Sequence, residues 1–303
     1  MKHMKLAAYY WERIKGNRTA MIGLAFIIFL ILTAAIGPFF TVSPTDVNFS
    51  EKNLPPIGFS SEQSIYSAEA GGLILTNMHG TWKHPLGTDG MGRDLLAQLI
   101  SGARVSLLVG LLATGLAIII GAIIGVSSAY FAGLADSILM RFTDIMMTFP
   151  FLLLLILIVY MFGSSLTLII LSIGLTGWTG TARLVRSETL SLRTRDFVIA
   201  SKALGASDLR IIFYHLLPNT ISSIIVLATL SIPGAILAEA ALSFIGLGDP
   251  QVASWGNILN AGQNDLQTAW WIAVEPGIML FFTVISFNFL GEGLRDAFDP
   301  KGD

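Results

Sequence analysis

Cysteine is absent from this chain of 303 residues, and charged residues are scarce. Without cysteine the chain cannot form a disulfide, a CxxC-type zinc or iron–sulfur site, or a thiol nucleophile. Charged residues make up 13% of the chain, against the roughly 25% expected of a soluble domain. Because 18 Lys and Arg stand against 20 Asp and Glu, no positive excess exists to neutralise phosphates, and we do not expect nucleic acid as a partner.

Two kinds of functional motif are also missing from the sequence. There is no GxxxxGK[ST] phosphate loop and no Gly-Lys dipeptide, so we expect no ATPase site in this chain. The four histidines are scattered without the spacing of metal ligands, and we therefore predict no metal site.

Long apolar stretches dominate what is present, with 53% apolar residues and a mean hydropathy of +0.72. A charge at mid-bilayer costs about 2.5–3.5 kcal/mol, so the uncharged intervals locate membrane spans of about 20 residues each. Turn residues at 163–165 divide the longest interval into two spans. A further span is expected between Glu275 and Glu292, with Trp270 and Trp271 as its interfacial aromatic belt. An all-α integral membrane fold of six transmembrane helices follows, from the uncharged intervals 19–45, 105–135, 145–182 and 216–238.

Basic residues indicate the orientation, because cytoplasmic loops retain the excess of Lys and Arg. With the N-terminus inside, 14 of the 18 basic residues fall in inner segments. We therefore expect both termini in the cytoplasm. The predicted segments are an interfacial N-terminal segment at 1–18, a first span at 19–45, an extracytoplasmic segment at 46–103, a transmembrane core at 104–293 that contains an inner loop at 187–218, and a cytoplasmic tail at 294–303.

The inner loop is predicted to form two short helices. Asp196 is placed to cap the first helix, and Gly205 to end it in a left-handed conformation. Ser207 is placed to cap the second helix, and Pro218 marks the start of the fifth span. The first helix could insert into a groove of another protein or lie on the inner lipid surface, and periodicity favours neither alternative. Its apolar and small residues are Phe197, Ala200, Ser201, Ala203 and Leu204.

This loop resembles the EAA loop of the membrane subunits of ATP-binding-cassette importers. In that pattern Glu-Ala-Ala is followed by three residues, Gly, nine residues and Ile-x-Leu-Pro. Ala200, Gly205, Leu217 and Pro218 match the pattern at its spacing. Three positions depart from it, since Ile199 stands for the Glu, Ser201 for the second Ala and His215 for the Ile.

Four longer motifs resemble the peptide-importer branch of these transporters, in particular its C-type permease subunit. The resemblance covers nearly the whole chain and leaves out only much of 46–80. The motifs are HPLGTDGMGRDLLAQLISGARVSLLVG at 84–110, AEAALSFIGLG at 238–248, SWGN at 254–257 and FNFLGEGLRDAFDP at 287–300.

The resemblance implies a type I importer permease fold, without catalytic residues or a bound cofactor, in the inner membrane of a prokaryote. It implies a second homologous permease, two cytoplasmic ATPase subunits that bind ATP and Mg, and an extracytoplasmic substrate-binding protein as partners. Di- or oligopeptides are the implied substrates, and nickel complexes or another small solute are the alternative. The implied coupling residues are Asp196, Phe197, Ala200, Ser201, Ala203, Leu204, Gly205, His215 and Pro218.

Four residues are candidates for the translocation path. Glu239 and Glu275 flank the outer ends of two spans, where an acid could meet the ammonium group of a peptide or could simply be hydrated. Gly177 belongs to a face of small residues in the fourth span that either lines the path or, as we favour, packs against another helix. Asn288 in the sixth span is the fourth candidate. A GxxxG pattern at 121–125 in the second span also permits close packing of helices.

Two other classes of protein are weaker alternatives. A self-sufficient secondary transporter would place ion-coupling carboxylates near mid-membrane or show inverted repeats, and the sequence shows neither. His84 and Asp89 satisfy the HxxxxD spacing of some acyltransferases, but Pro85 between them favours a turn.

Overall fold

Helices form the bulk of this computed structural model, which describes residues 2–67 and 72–298. The end of the predicted tail, 299–303, lies outside the described residues. The helices are α1 (Lys2–Gly16), α2 (Arg18–Ile36), α3 (Leu95–Phe131), α4 (Gly133–Thr148), α5 (Phe151–Phe162), α6 (Leu166–Thr176), α7 (Thr179–Leu192), α8 (Asp196–Ala203), α9 (Asp208–Ile211), α10 (Leu217–Phe244), α11 (Trp255–Gly262) and α12 (Trp271–Phe298).

The spanning elements agree with the predicted all-α fold. Within the described residues five helical stretches are long and apolar enough to cross a bilayer, and the pair α4–α5, bent by 82°, makes a sixth if its arms form one span. The bend falls at Phe149 and Pro150, since proline cannot continue the hydrogen-bonded ladder of α4. The predicted turn between the third and fourth spans is confirmed, because Gly163 has a φ of +97° and Ser165 caps α6.

The helices do not begin and end at the predicted segment limits. The helix of the first span ends at Ile36 and is followed by a 3-10 turn at Gly37–Phe39, short of the predicted limit at residue 45. Helix α3 begins at Leu95, ahead of the predicted start of the transmembrane core at residue 104, and α12 continues through the first residues of the predicted tail. The aromatic-belt prediction fails for Trp271, which is buried and donates its indole N–H to the carbonyl of Thr88 (3.1 Å).

The segment predicted to be extracytoplasmic contains a hairpin that the sequence analysis does not predict. Strands β1 (Ser60–Ser67) and β2 (Gly72–His79) pair antiparallel, with Ser60 opposite His79. Short 3-10 turns at Phe49–Glu51 and tight turns before α3 complete this segment. The all-α description therefore applies to the spans and not to the outer segment.

Two kinds of close contact hold the helices together. On the side predicted to be outer, the indole of Trp255 in α11 lies against Gly102 of α3 and donates a hydrogen bond to the carbonyl of Leu99 (3.0 Å). On the side predicted to be inner, Gly121 and Gly125 of α3 lie directly against α7. A Cβ at Gly125 would lie 2.5 Å from the carbonyl oxygen of Ala182, closer than side chains approach in proteins. The predicted GxxxG packing is thus confirmed.

We expect Gly125→Ala to lower the free energy of unfolding by about 1–3 kcal/mol, because the added methyl group must separate α3 from α7. Gly115→Ala is the matched control, since Gly115 lies in the same helix with nothing within 4 Å of the added Cβ among the described residues. Unfolding of the purified chain in mixed micelles measures both variants. Equal stability of the two variants would contradict the packing of α7 on Gly125.

Candidate functional site

The predicted inner loop, 187–218, begins within α7 rather than after it, and its first separate helix is α8, which follows α7 after residues 193–195. The structure corrects the predicted cap, because Arg195 occupies the position before the helix in an extended conformation and Asp196 is its first residue. The carboxylate of Asp196 still lies in the first turn, where negative charge interacts favourably with the helix N-terminus.

The predicted end of α8 is confirmed. Gly205 has a φ of +78°, the left-handed conformation that glycine adopts without steric cost. The amide of Gly205 donates to the carbonyl of Lys202 (3.0 Å), and the amide of Ala206 donates to that of Ser201 (3.1 Å). This pair of hydrogen bonds is the Schellman motif, which closes the helix and turns the chain toward α9.

The second part of the loop differs from the prediction at its end. Ser207 caps α9 as expected, accepting from the amide of Arg210 (3.4 Å). Pro218, however, does not follow a break, because the chain passes from α9 through a π turn at Ile212–Leu216 directly into α10. Pro218 has no amide hydrogen to donate to the helix. The residue before it, Leu217, donates its amide hydrogen to the carbonyl of Ile212, five residues back, so the π turn continues up to the proline.

One cluster of buried apolar residues packs the loop against the rest of the chain, and other apolar residues of the loop are exposed. Val198 is the buried residue of α8, and it joins Val126 of α3 and Val185 of α7 in this inner cluster. Leu204 is 88% exposed, and Phe197 is also exposed. The structure adds four exposed apolar residues that are not among the implied coupling residues, namely Ile199, Leu209, Phe213 and Tyr214. Helical periodicity in the sequence does not identify Phe213 and Tyr214, because the π turn at Ile212–Leu216 changes the helical phase.

Two of the positions that depart from the EAA pattern meet in space. The hydroxyl of Ser201 and Nε2 of His215 share a hydrogen bond of 3.2 Å. The imidazole of His215 also lies beside the ring of Phe197, with 6.2 Å between the ring centroids. These contacts join α8 to the π turn, while Ala200 and Ala203 face solvent and leave room for close approach.

A cavity of about 670 Å³ opens between α3, the bent pair α4–α5, the α6–α7 connection and α10. Its surface combines apolar side chains with several hydroxyl groups, and Gly177 contributes to it. The other three path candidates do not line this cavity. Its lining includes Thr114, Met146, Met147, Phe149, Pro150, Thr176, Thr179, Thr181 and Ser231.

The remaining path candidates lie elsewhere in the fold. Glu239 is buried inside α10 rather than at its outer end, because the helix continues to Phe244, and its Oε1 accepts from the hydroxyl of Ser243 (2.6 Å). Glu275 lies half-buried inside α12, and Asn288 is exposed on the same helix.

The turn before α3 is formed as favoured, without the histidine–aspartate pair of the weaker acyltransferase alternative. His84 lies 2.6 Å from Asp94 through Nδ1 and 3.2 Å from Glu51 through Nε2. Asp89 instead accepts from Nε of Arg93 (2.7 Å) and from the amide side chain of Gln98 (3.0 Å). The HxxxxD hypothesis is therefore wrong. Asp94 uses its other oxygen to cap α3 through the amide of Ala97 (2.7 Å), so this turn fixes the start of α3.

Electrostatics stabilises the outer turn at Glu51. A hydrogen bond from the ammonium group of Lys83 (2.7 Å) is the largest influence, and together with the contact to His84 it lowers the pKa of the Glu51 carboxyl. Among the described residues no group of three or more His, Cys, Asp or Glu side chains could hold a metal ion.

Comparison with known proteins places this arrangement in a family. Residues 100–302 match the family model described as a binding-protein-dependent transport system inner membrane component, and residues 5–56 match the N-terminal transmembrane domain of oligopeptide transport permease C. The chain therefore belongs to the family of binding-protein-dependent transport permeases, and within it to the C-type peptide permeases. It is a multi-pass inner-membrane protein of bacteria and a transport component rather than an enzyme, as predicted.

Curated relatives match over almost the full chain. The dipeptide transport system permease protein DppC of Bacillus subtilis is 40% identical over 296 residues, which are 96% of this chain and 84% of the relative. The oligopeptide transport system permease protein OppC of Haemophilus influenzae is 37% identical over 292 residues, 96% of this chain and 87% of the relative. A structure of the MetNI methionine ABC transporter in inward-facing conformations has a TM-score of 0.54 at 19% identity, covering 67% of this chain and 97% of that chain. This last likeness shows the fold alone.

The stabilising effect of Glu51 depends on pH in a defined direction. Because its folded pKa lies below the ordinary value, its contribution is complete at neutral pH and is lost as pH falls through the folded pKa. We expect Glu51→Gln to reduce the hydrogen-exchange protection of the Leu54 and Thr88 amides at pH 7 by up to about fivefold, the size expected of a partly exposed ion pair. In acid below that pKa, wild type and variant should converge. Lys83 and His84 contact the Glu51 carboxylate, and Asp94 contacts His84, so exchange rates must be compared at matched pH.

The exposed Glu62 in β1 provides the control, since Glu62→Gln alters an acid of the same outer segment away from this turn. Loss of protection by Glu62→Gln equal to that by Glu51→Gln would show that net charge, and not the contact with Lys83, is responsible.

Proposed function

We propose that this chain forms half of the translocation path for di- or oligopeptides in an ATP-driven importer. The observation that carries the proposal is the agreement with a protein named as a dipeptide permease over 96% of this chain. The second relative is named as an oligopeptide permease and matches over the same share of the chain. Peptide length is left open by this pair of names.

The assembly that we propose contains three kinds of partner. A second homologous permease supplies the other half of the path, and two cytoplasmic subunits hydrolyse ATP with Mg. An extracytoplasmic binding protein delivers the substrate, which is supported by the description of the family as binding-protein-dependent. Both termini lie in the cytoplasm in this proposal, because that orientation places most Lys and Arg on the inner side.

The path is proposed to run along the cavity that Gly177 helps to line. Its hydroxyl groups can donate and accept hydrogen bonds, while its methionine and phenylalanine side chains adapt to different shapes. A surface of this kind suits peptides of varied sequence, since it offers the peptide backbone hydrogen-bonding partners without demanding one side chain. Glu239, Glu275 and Asn288 lie outside this lining, so the proposed path depends on the cavity residues.

The loop from Asp196 to Pro218 is proposed to couple this path to the ATPases. Val198 fixes α8 to the inner cluster, while Phe197 and Leu204 extend from it without burial in this chain. Lys202 and Asp208 lie among the exposed apolar residues. A mixture of this kind favours a protein groove over a lipid surface, where an amphipathic helix separates apolar from charged residues onto opposite faces.

The first test is transport itself. We expect vesicles that contain both permeases and the ATPases, with the binding protein outside, to accumulate labelled dipeptide only when ATP is present on the ATPase side. An unlabelled tripeptide or tetrapeptide should compete, and a nickel complex should not. Uptake of nickel without peptide would favour the alternative substrate, and accumulation by this chain alone would favour a secondary transporter.

The second test concerns the coupling loop. We expect Leu204→Asp to weaken co-purification of the ATPases by at least about tenfold, because it places an unpaired charge in an apolar contact. Leu75→Asp on β2 is the matched control, since Leu75 is 74% exposed on the outer segment. If the loop lies on lipid instead, Leu204→Asp will leave retention of the ATPases equal to that of the control.

A further inference from the structure

A forked ion pair joins α4 to α7 near the inner face. Nε and Nη2 of Arg186 each lie 2.6 Å from one oxygen of the Asp136 carboxylate. The hydroxyl of Ser128 at the end of α3 donates to the same carboxylate. The side chains of Arg186 and Asp136 are 31% and 21% exposed. Two parallel charge-assisted hydrogen bonds of this kind fix direction as well as distance.

The Arg186 end of this fork lies on the helix that leads to the coupling loop. A Cβ at Gly125 would lie 3.0 Å from the backbone nitrogen of Arg186, so this residue sits where α3 and α7 approach most closely. Farther along, Arg193 donates to the carbonyl of Ala129 at the end of α3 (2.8 Å). Only residues 193–195 separate α7 from α8, so a displacement of α8 reaches α7 through a short, hydrogen-bonded connection.

The Asp136 end lies on the helix that leads to the cavity. Asp136 is in the first turn of α4, and Met146 and Met147 at the other end of α4 line the cavity just before the bend at Phe149 and Pro150. Both points lie on α4, which is a single uninterrupted helix of 16 residues. Rotation of its first turn therefore displaces the cavity wall.

From this geometry we infer that the Arg186–Asp136 ion pair is the contact that transmits motion of the coupling loop to the cavity wall. The inference rests on the proposed function, because it assigns the loop as the receiver of mechanical work. Separating the fork would leave two charges unpaired in a partly buried site, which is costly, so α4 and α7 move as one body. Arg186 and Asp136 are positioning residues, since neither lines the cavity.

A second pair between the same helices provides a matched control. Nη2 of Arg183 lies 2.6 Å from one oxygen of Asp144, and the two side chains are 50% and 53% exposed. It makes one contact rather than a fork, and solvent screens it more strongly. If any ion pair between α4 and α7 were sufficient to transmit the motion, substitutions in the two pairs would lower import per ATP equally.

The test uses the complete complex in vesicles and compares Arg186→Lys with Arg183→Lys. Lysine keeps the charge but cannot form the fork. We expect Arg186→Lys to lower the number of dipeptide molecules imported per ATP hydrolysed by at least about fivefold, which is the lower end of the range typical of coupling between two sites. The ATPases should remain bound. Arg183→Lys should stay within about twofold of wild type, as expected for an exposed pair.

A distance measured across the cavity distinguishes a loss of transmitted motion from a loss of stability of the complex. Because the natural chain has no cysteine, spin labels can be placed on Met147→Cys and Ser231→Cys alone, two cavity-lining positions on α4 and α10. We expect ATP to change the distance between the labels in the otherwise unchanged complex and in Arg183→Lys, and to leave it unchanged in Arg186→Lys. An ATP-driven change of normal size in Arg186→Lys would overturn the inference.

A variant that does not assemble and a wrongly proposed substrate can be told apart by their results. If Arg186→Lys does not assemble, Asp136→Asn keeps the shape of the carboxylate without its charge, and normal import per ATP in that variant would overturn the inference. If the unmodified complex hydrolyses ATP but imports no dipeptide, the proposed substrate is wrong, and the label distance still decides whether the fork transmits motion.

Discussion

The close approach of α3 and α7 is the contact on which the inner half of the structure depends. Gly121 and Gly125 allow it, because any side chain there would overlap the backbone or side chains of α7. The bilayer provides no hydrophobic force between helices, so association depends on packing at short range. This contact sets the position of Arg186 and of the short connection to α8. The inner cluster of Val126, Val185 and Val198 lies beside it.

The outer half is fixed by polar contacts around the start of α3. Asp94 caps that helix and holds His84, while the indole groups of Trp255 and Trp271 donate to backbone carbonyls on either side of the turn. Buried indole groups need such partners, since an unpaired N–H is costly away from water. The structure therefore fixes α3 at its outer end by hydrogen bonds and at its inner end by glycine packing.

The sequence predicts the spans well because the cost of a charge in the bilayer is a local property of each segment. It does not predict where the helices begin and end, because tertiary contacts determine those limits. Nothing in the sequence shows that Trp271 bonds Thr88 and is thereby withdrawn from the membrane interface. The error at Asp196 has a different cause, since acidic residues are favoured both as caps and within the first turn. The extended backbone of Arg195 settles the position, and composition does not.

The candidate site shows the same division between local and tertiary causes. Gly205 is predictable, because a left-handed helix end favours glycine wherever the helix lies. The outward face of α8 is not predictable, because the choice of Val198 as the buried residue depends on α3 and α7.

Two of the departures of this chain from the EAA pattern compensate each other. Ser201 and His215 replace two apolar residues of the pattern, and each alone would leave a polar group near an apolar contact. Because they share a hydrogen bond with each other, the pair satisfies itself and keeps α8 against the π turn. Ile199 replaces the acidic residue and lies exposed, so the contact with an ATPase would depend there on apolar burial instead of an ion pair. In the proposed coupling, binding of the ATPase at this position would therefore depend less on salt concentration than an ion pair would.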